Sequence, residues 1–390
     1  MSTVLISLLL SLASSQLVEA TGDGFEVNAL LAVGTAATKS VTVNSPAGLT
    51  AALATAKSGD RILLAAGDYG SVYIRDKKFA ANVTIASANP ARPAHFDDLT
   101  IYNVSHILFD SLDIGRALRP GEADYSRMVS ARTSDNLVFS KVKFHGSLDG
   151  NAANDGYGVV FTGGHHYTIS GCTFTQLNRG FQAGSATDIL IKDSSFYGLR
   201  SDGINASDVQ RVTIDRNQFR EFGALAGDHP DAIQFWTLGT TRASSDIVIT
   251  NNVILQGKGV GTQGIFLTDQ VGTLPYRNLR IENNLVYVFD GYNGIMVSGG
   301  RNVSVIGNSV LSEPSDNQKF WIRLNDTQGT VMRNNIADAF VNTKNGALAK
   351  TNNIFLDASP GAASRIRGLR LLADATVASL TTPGIGYQPK

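Results

Sequence analysis

The sequence has little that could cross-link the chain or give it a strong charge: it contains one cysteine, ten prolines and no excess of either charge. The single Cys172 excludes an internal disulfide. Lys plus Arg and Asp plus Glu both total 33, so no net field recruits nucleic acid or an anionic membrane. With 43% hydrophobic residues and 39 glycines in 390 positions, the chain can bury a large core and turn many tight corners.

The N-terminus predicts export. The apolar run Val4 to Leu12 is too short for an ordinary membrane span, and Val18-Glu19-Ala20 after it is typical of a signal-peptidase site, although no Lys or Arg precedes the run. We interpret residues 1–20 as a signal peptide and expect a secreted or periplasmic protein. Residues 21–40 are small and polar and predict a linker, and residues 41–390 predict one domain.

The rest of the chain repeats one unit, in which a branched aliphatic strand is followed by polar residues, an asparagine and another apolar residue. The basic period of about 22 to 24 residues is too short for a βαβ unit, and apolar–polar alternation favours strands. Three short strands per coil, stacked coil on coil, predict an all-β parallel solenoid. The asparagines are Asn217, Asn252, Asn284, Asn308, Asn335 and Asn353, and the same slot upstream holds Val142, Cys172 and Ser194.

Stacking explains the asparagines, because an Asn tolerates a left-handed bend between strands and can hydrogen-bond its neighbours in the adjacent coils. Two positions later we predict an interior stack of Phe144, Phe174, Phe196, Phe219, Ile254, Val286 and Val310. Residues 45–56 have helical spacing and predict a helix that covers the open N-terminal end. Residues 368–373 predict the start of a C-terminal cap.

The opening segments resemble those of a known enzyme family. The short helix, the segment SGDRILLAAGDYG at 58–70 and the coils NVTIASANP and VSHILFDSLDIG are similar to the start of the chondroitinase B and alginate lyase family of right-handed β-helix polysaccharide lyases. The resemblance covers about the first quarter of the chain and implies a right-handed parallel β-helix with an N-terminal capping helix. The Arg-His-Gly step of that family is missing, so its catalytic residues cannot be transferred.

A second strand recurs in each coil, and its third and fifth residues are apolar, so its fourth residue should point outward. Adjacent coils lie about 4.8 Å apart, so the fourth residues predict a polar row of amides beside an aromatic ring. Such a row suits the hydroxyls and ring faces of a sugar chain. The members are Gln182, Asn205, Gln234 and Phe266. An amide ladder that only protects a solvated sheet is the structural alternative.

Insertions around two coils predict a groove, and they hold the densest group of titratable residues. Asp228-His229-Pro230-Asp231 precedes one strand, with Arg200 and Asp202 one coil below and Lys258 one coil above. Flanking carboxylates would raise the pKa of His229 and equip it as a general base or acid. Turn carboxylates that accept backbone N–H groups are the structural alternative for Asp202 and Asp231. We assign no metal ligands, and His165-His166 is interpreted as structural.

Two further resemblances bear on these residues. The Asp-His-Pro-Asp stretch is similar to the Asp-Pro-His core of mannuronan C5-epimerases, which implies Asp228 or Asp231 as the acid, His229 as the histidine and Arg200 as the arginine. That resemblance also implies a tyrosine, either Tyr157 or Tyr276. Ser201-Asp202-Gly203 resembles the Asn-Thr-Asp-Gly of polygalacturonases, whose other motifs are missing.

We therefore expect a polysaccharide lyase that cleaves a uronic-acid-containing polymer by β-elimination, with an acidic polysaccharide as its partner. Proton abstraction at C5 needs the uronate carboxylate neutralised by Arg, an amide or Ca²⁺, and a base beside it. The expected catalytic residues are Arg200, Asp202, His229, Asp231 and Lys258, and the expected substrate contacts are Gln182, Asn205, Asp228, Gln234, Phe266 and Tyr276. A C5-epimerase, a polygalacturonase-like hydrolase and a glycan-binding surface or tail protein remain alternatives.

Overall fold

The computed structural model describes residues 39–291, 293–312, 319–345, 348–356 and 376–390. The interpretations of residues 1–20 as a signal peptide and 368–373 as a C-terminal cap lie outside the described residues. So does most of the predicted linker at 21–40, whose last residue already begins the first strand. Within the described ranges, no helix is long and apolar enough to cross a membrane.

The chain is built almost entirely from strands. The N-terminal elements are β1 (Ser40–Val43), α1 (Pro46–Thr55), β2 (Arg61–Leu64), β3 (Gly67–Asp68), β4 (Ser71–Ser87), β5 (Ala94–Phe96), β6 (Asp98–Asp110) and β7 (Asp113–Gly115). The central elements are β8 (Arg127–Arg132), β9 (Asp135–Ser140), β10 (Lys143–His145), β11 (Tyr157–Thr162), β12 (His165–Ser170), β13 (Thr173–Thr175), β14 (Arg179–Gly184), β15 (Thr187–Lys192), β16 (Ser195–Tyr197), β17 (Ile204–Ser207), β18 (Gln210–Asp215) and β19 (Gln218–Arg220).

The later elements continue the same three-strand coil. They are β20 (Asp231–Trp236), β21 (Ser245–Thr250), β22 (Val253–Leu255), β23 (Gln263–Thr268), β24 (Tyr276–Glu282), β25 (Leu285–Tyr287), β26 (Asn293–Ile306), β27 (Ser309–Leu311), β28 (Trp321–Arg333), β29 (Ile336–Ala337), β30 (Ala339–Thr343), β31 (Ala349–Thr351) and β32 (Ile354–Phe355). Short 3₁₀ turns lie at Ala152–Asn154 and Ala378–Leu380.

Each strand pairs in parallel with its counterparts in neighbouring coils, which gives the predicted solenoid three faces. The first face holds β8, β11, β14, β17, β20 and β23. The second holds β9, β12, β15, β18, β21 and β24. The third holds β10, β13, β16, β19, β22 and β25. The long strands β6 and β26 run across the first two faces.

The asparagine column lies at the corner between the second and third faces and stacks in one line, as predicted. The backbone N–H and the side-chain amide of Asn217 both donate to Asn252 Oδ1, at 3.0 Å each. The same two bonds recur at every step up to Asn353. One expectation was wrong: the left-handed bend falls on the preceding residue, such as Arg216 (φ 52°) or Asn251 (φ 58°). The column residue instead satisfies the amides around that bend.

The apolar column of the third face forms the predicted interior stack. Ring centroids are 4.8 Å apart for Phe144 and Phe174, 4.5 Å for Phe174 and Phe196, and 4.6 Å for Phe196 and Phe219. Stacked aromatic pairs contribute about 0.5–1.5 kcal/mol beyond the area they bury. The core is thus a continuous column that holds adjacent coils in register.

Helix α1 closes the N-terminal end of the solenoid. Ser45 caps the helix, because its Oγ accepts the backbone N–H of Gly48 at 3.2 Å. The buried Leu49 and Leu53 pack onto the core of the first coils. The predicted capping helix is therefore present, and it shields apolar side chains that would otherwise meet water.

Candidate active site

A bend at the second residue of each first-face strand decides which side chains reach the outer surface. In β14, a Cβ on Gly180 would lie 2.6 Å from the carbonyl oxygen of Gly203 and 2.9 Å from the ring of Phe196. The second position therefore points inward, and so does the third. Strict alternation would place the first residue inside the coil, whereas the bend brings the first and fourth residues together on the outer face.

The fourth residues form the polar row that the sequence predicts. Gln182 pairs in register with Asn205, Asn205 with Gln234, and Gln234 with the half-buried Phe266. The side-chain amide of Asn205 donates to Gln234 Oε1 at 2.6 Å. Trp236, which the sequence analysis did not assign, donates its indole N–H to Asn205 Oδ1 at 2.6 Å. These contacts hold the amides in fixed orientations across adjacent coils.

Asp202 lies beneath this row, and both of its carboxylate oxygens accept hydrogen bonds. It is 2% exposed. Its Oδ2 accepts Arg179 Nη2 at 2.9 Å and Asn205 Nδ2 at 2.8 Å, and its Oδ1 accepts the backbone N–H of Asp231 at 3.3 Å. Burial raises the pKa of Asp202, and the charge of Arg179 opposes that rise.

Asp231 occupies the equivalent position one coil later, where its surroundings differ. It is 1% exposed, and its Oδ2 accepts Gln234 Nε2 at 2.6 Å. Among the described residues, no donor reaches its buried Oδ1. Burial, followed by the charge of Asp202, raises the pKa of Asp231 well above its usual range. Asp231 is therefore the group in this pair that favours the protonated form.

The two aspartates therefore have different surroundings. Asp202 contacts the guanidinium of Arg179, whereas Asp231 faces the carboxylate of Asp202. Such a pair is typical of sites where a proton is held and transferred. The ion pair with Arg179 opposes the rise in the pKa of Asp202, while the charge of Asp202 adds to the rise in the pKa of Asp231.

Arg179 is the cation of the site, and the sequence analysis missed its role. Its guanidinium lies 4.8 Å from the ring centroid of Tyr157, and its Nη1 donates to Gln182 Oε1 at 2.9 Å. Arg179 is the first residue of β14, and Asp202 and Asp231 occupy the equivalent position in the next two coils. The sequence therefore already shows that Arg179 and Asp202 stand at equivalent positions of adjacent coils. The ion pair between Arg179 and Asp202 appears only once the coils are placed in register.

Arg200, expected to neutralise a substrate carboxylate, is already neutralised by protein carboxylates. Its Nε and Nη2 contact the two oxygens of Asp228 at 2.8 and 3.3 Å, and its Nη1 contacts Asp124 at 3.2 Å. The Arg200 hydrogen bond lowers the pKa of Asp228. The donors of Arg200 tie the loop at 225–228 to the coil below, and the expected role of Arg200 towards a substrate carboxylate stays a prediction.

His229 and Lys258 are exposed in the loops that precede β20 and β23. The charge of His229 contributes to the lowered pKa of Asp228, which places the imidazole beside the Arg200 ion pair. Within the described part of the chain, no hydrogen bond joins His229 or Lys258 to the buried aspartates. The structure therefore brings Asp202, Asn205, Asp231 and Gln234 together and leaves His229 and Lys258 outside that network.

Tyr276, expected to contact the substrate, belongs to the core. Its side chain is fully buried, packs edge-on against Phe235 and donates its hydroxyl to the carbonyl of Thr268 at 3.0 Å. Burial raises its pKa. The assignment was wrong because Tyr276 lies one residue before Arg277, the partner of Ser245 on the second face, and its side chain turns into the core there.

We predict that Tyr276→Phe lowers the free energy of unfolding by about 1–2 kcal/mol, because the carbonyl of Thr268 loses its buried donor. Turnover and KM should not change. Denaturant midpoints and initial rates check this, with the exposed Tyr73→Phe as the control. A higher KM at unchanged stability would restore Tyr276 to the groove.

Loops on both sides of the first face border the site, as the insertions predict. On the downstream side, Asp269 organises the loop after β23. One oxygen accepts Thr237 Oγ1 at 3.0 Å and the N–H of Gly272 at 2.9 Å, and the other accepts the N–H of Leu274 at 2.9 Å. These bonds fix one edge of the groove against the coil that carries Asp231.

The chain matches a family model described as "Right handed beta helix region" over residues 127–310, a range that contains every residue of the site. No curated protein sequence matches significantly. The Dettilon tailspike protein is 15% identical with a TM-score of 0.51, over 80% of this chain and 61% of that one. GH136 lacto-N-biosidase from Eubacterium ramulus is 12% identical with a TM-score of 0.51, over 81% of this chain and 68% of that one.

A PL6 family polysaccharide lyase from Pseudopedobacter saltans is 12% identical with a TM-score of 0.49, over 89% of this chain and 98% of that one. At these identities the similarity concerns the fold. The fold is that of a right-handed parallel β-helix, as the resemblance of the opening segments implied.

Proposed function

We propose that this right-handed parallel β-helix protein is an enzyme that cleaves a uronic-acid-containing polysaccharide by β-elimination. The observation that carries the proposal is the convergence of Arg179, Asp202 and Asp231 beneath a row of amides on one outer face. This combines a cation, a proton-carrying carboxyl group and hydrogen-bonding side chains in a groove bordered by loops.

The row of amides fits an extended sugar chain. Gln182 and Gln234 are half-buried and lie one coil to either side of the buried Asn205, so their amides can face a ligand at about twice the 4.8 Å repeat along the solenoid axis. The amide of Asn205 holds Gln234 in place. Phe266 continues the row and offers an apolar ring edge or face to a sugar ring. One of the similar structures is named as a lacto-N-biosidase, an enzyme that acts on a carbohydrate, which agrees with this substrate class.

Arg179 supplies what a uronate requires. Its side chain is 20% exposed, so part of the side chain reaches the outer face, while its Nε is buried and has no partner among the described residues. A carboxylate that pairs with this guanidinium would have its charge partly neutralised, which makes the proton on C5 more acidic.

In the proposed elimination, a base removes the proton from C5, the electron pair forms the C4–C5 double bond, and the C4–O4 bond breaks. Asp231 in its protonated form gives its proton to the departing O4, and a solvent-facing base at the groove edge, for which we propose His229, takes the C5 proton. The products are a chain with a new hydroxyl end and a chain with an unsaturated uronate end.

Hydrolysis is the second candidate, and one specific observation favours it. Asp202 and Asp231 are neighbouring carboxyl groups whose pKa values respond to different surroundings. Glycoside hydrolases likewise pair a carboxylic acid with a carboxylate that acts as base or nucleophile. In that reaction Asp231 protonates the glycosidic oxygen and water adds to the sugar. A C5-epimerase would share the proton abstraction and leave the chain intact.

Incubation of the purified protein with a panel of uronate polymers tests the proposal. We expect ultraviolet absorbance from the unsaturated uronate to rise in step with new reducing ends. New reducing ends without absorbance would replace elimination by hydrolysis. Solvent deuterium at C5 with constant chain length would indicate an epimerase. Binding without any of these products would indicate a glycan-binding protein.

We also propose that the protein acts outside the cytoplasm, on the basis of the apolar run and small-residue site in residues 1–20.

Addition of EDTA to the same assays shows whether Ca²⁺ helps Arg179 to neutralise the substrate carboxylate. If the reaction requires Ca²⁺, EDTA will abolish product formation and added Ca²⁺ will restore it.

A further inference from the structure

A second polar cluster lies on the outer side of the third face, away from the candidate active site. His95, Asp113 and His145 come from β5, β7 and β10, which are neighbouring strands in three successive coils. His95 Nδ1 is 2.8 Å from Asp113 Oδ2, and His145 Nε2 is 3.3 Å from the same oxygen. The three donor atoms all lie within 4.8 Å of one another.

The hydrogen bonds fix how the rings are oriented. His145 Nδ1 lies 2.8 Å from the carbonyl oxygen of Gly146, which can only accept, so Nδ1 carries a proton. In a neutral ring, Nε2 then directs a lone pair at the carboxylate of Asp113. His95 Nε2 faces Asp97 Oδ1 at 3.6 Å, which leaves His95 Nδ1 directed at Asp113. Two imidazole nitrogens and a carboxylate oxygen thus converge, and a cation between them would satisfy all three.

We propose that His95, Asp113 and His145 bind a divalent first-row transition metal ion, with Zn²⁺ as the tested ion. Imidazole nitrogen and carboxylate oxygen are ligands that Zn²⁺ prefers, at about 2.0–2.2 Å, and such ligands lie roughly 3.3 Å apart around a tetrahedral ion. The observed donor separations of 2.8 and 3.3 Å are close to that spacing. Calcium and magnesium are excluded as the preferred ions because they select oxygen ligands.

The surroundings have the features of a supported metal site. Metal-binding histidines usually donate their other ring N–H to a carbonyl or carboxylate. The carbonyl of Gly146 takes that position for His145, and the carboxylate of Asp97 lies 3.6 Å from His95 Nε2, beyond hydrogen-bonding distance. Gly115 (φ 151°) permits the approach of the third strand, since a Cβ there would lie 1.8 Å from the carbonyl oxygen of His145. His145 is 13% exposed, so solvent reaches the cluster and a water can complete the coordination.

A bound ion would cross-link adjacent coils. Its three ligands are 18 and 32 residues apart in sequence, so an ion would join three turns of the solenoid near its N-terminal end. The same separation explains why the sequence analysis assigned no metal ligand, because no short ligand motif is present.

Calorimetric titration of the EDTA-treated, dialysed protein with ZnCl₂ tests the proposal. We expect one equivalent to bind, a higher Tm in the presence of Zn²⁺, and a visible absorption band when Co²⁺ replaces Zn²⁺. CaCl₂ should neither displace the bound Zn²⁺ nor raise the Tm in its place. His95→Gln and His145→Gln should each weaken Zn²⁺ binding at least about tenfold.

The matched control is the double variant His165→Gln/His166→Gln, which removes two exposed histidines on the second face. It should bind Zn²⁺ as the wild type does. Circular dichroism confirms that each variant is folded, and Asp113→Asn provides a test that removes no histidine and should also weaken binding. An absence of Zn²⁺ binding, equal binding by the His145→Gln variant, or loss of binding in the His165/His166 control would each overturn the proposal.

Discussion

Replacement of Asp231 by asparagine should lower turnover by about 10²–10⁴-fold, the usual contribution of a positioned general acid. The side chain keeps its size, and Gln234 can still donate to the remaining oxygen, so the groove should keep its shape. The loss should appear in kcat, with little change in KM. Initial rates on the polymer that the wild type degrades measure this effect.

The same variant should be more stable than the wild type at neutral pH. Asp231 has a folded-state pKa well above its unfolded value, so the folded state resists ionisation of this group. The stability of the wild type therefore falls as pH rises from the unfolded pKa, about 4, towards the raised folded pKa. Asp231→Asn removes this loss.

We expect a gain of about 1–3 kcal/mol at pH 7, the usual cost of a buried polar group without a partner, and no gain below about pH 4. Denaturant midpoints at the two pH values check the sign. Asp208→Asn is a control, since Asp208 is a half-buried aspartate that is paired with Arg242 and Ser185. A variant that is both less stable at pH 7 and fully active would show that Asp231 is a structural residue.

Asn284→Ala, a change in the asparagine column, should lower the free energy of unfolding by about 3–4 kcal/mol. Its Oδ1 accepts two bonds from Asn252, and its amide donates to the carbonyl of Ile249 and to Asn308 Oδ1. Truncation leaves these buried groups unpaired on both sides of one coil. Chemical denaturation of the variant measures the loss.

The control for this experiment is Asn89→Ala. Asn89 is exposed and makes one local bond, from the backbone N–H of Ala91 to its Oδ1 at 3.0 Å. It should cost well under about 1 kcal/mol. Equal losses for the two variants would mean that the column contributes no more than an exposed turn.

The fold could be predicted because its period is short and its constraints are local. A ladder position, which asparagine occupies from Asn217 onward, and an apolar residue two positions later recur in each coil, so the register follows once the repeat is recognised. The left-handed residue was placed one position too late. The sequence alone does not show which residue adopts the positive φ and which one hydrogen-bonds the amides around the bend.

The candidate site was predicted only in part, for a geometric reason. Asp202 and Asp231 share one strand position, and Asn205 and Gln234 share another, so stacking brings the four residues together. The contacts of Arg200 and Tyr276 could not be predicted, because no repeat encodes the direction of either side chain. Arg200 is captured by a loop aspartate, and Tyr276 turns into the core.

The most direct test of the central claim is a crystal structure of the Asp231→Asn variant with a bound uronate oligosaccharide. We predict that the sugar chain lies across Gln182, Asn205 and Gln234, with a uronate carboxylate within hydrogen-bonding distance of Arg179. A sugar bound on another face, with the amide row left in contact with water, would contradict the assignment of this groove as the active site.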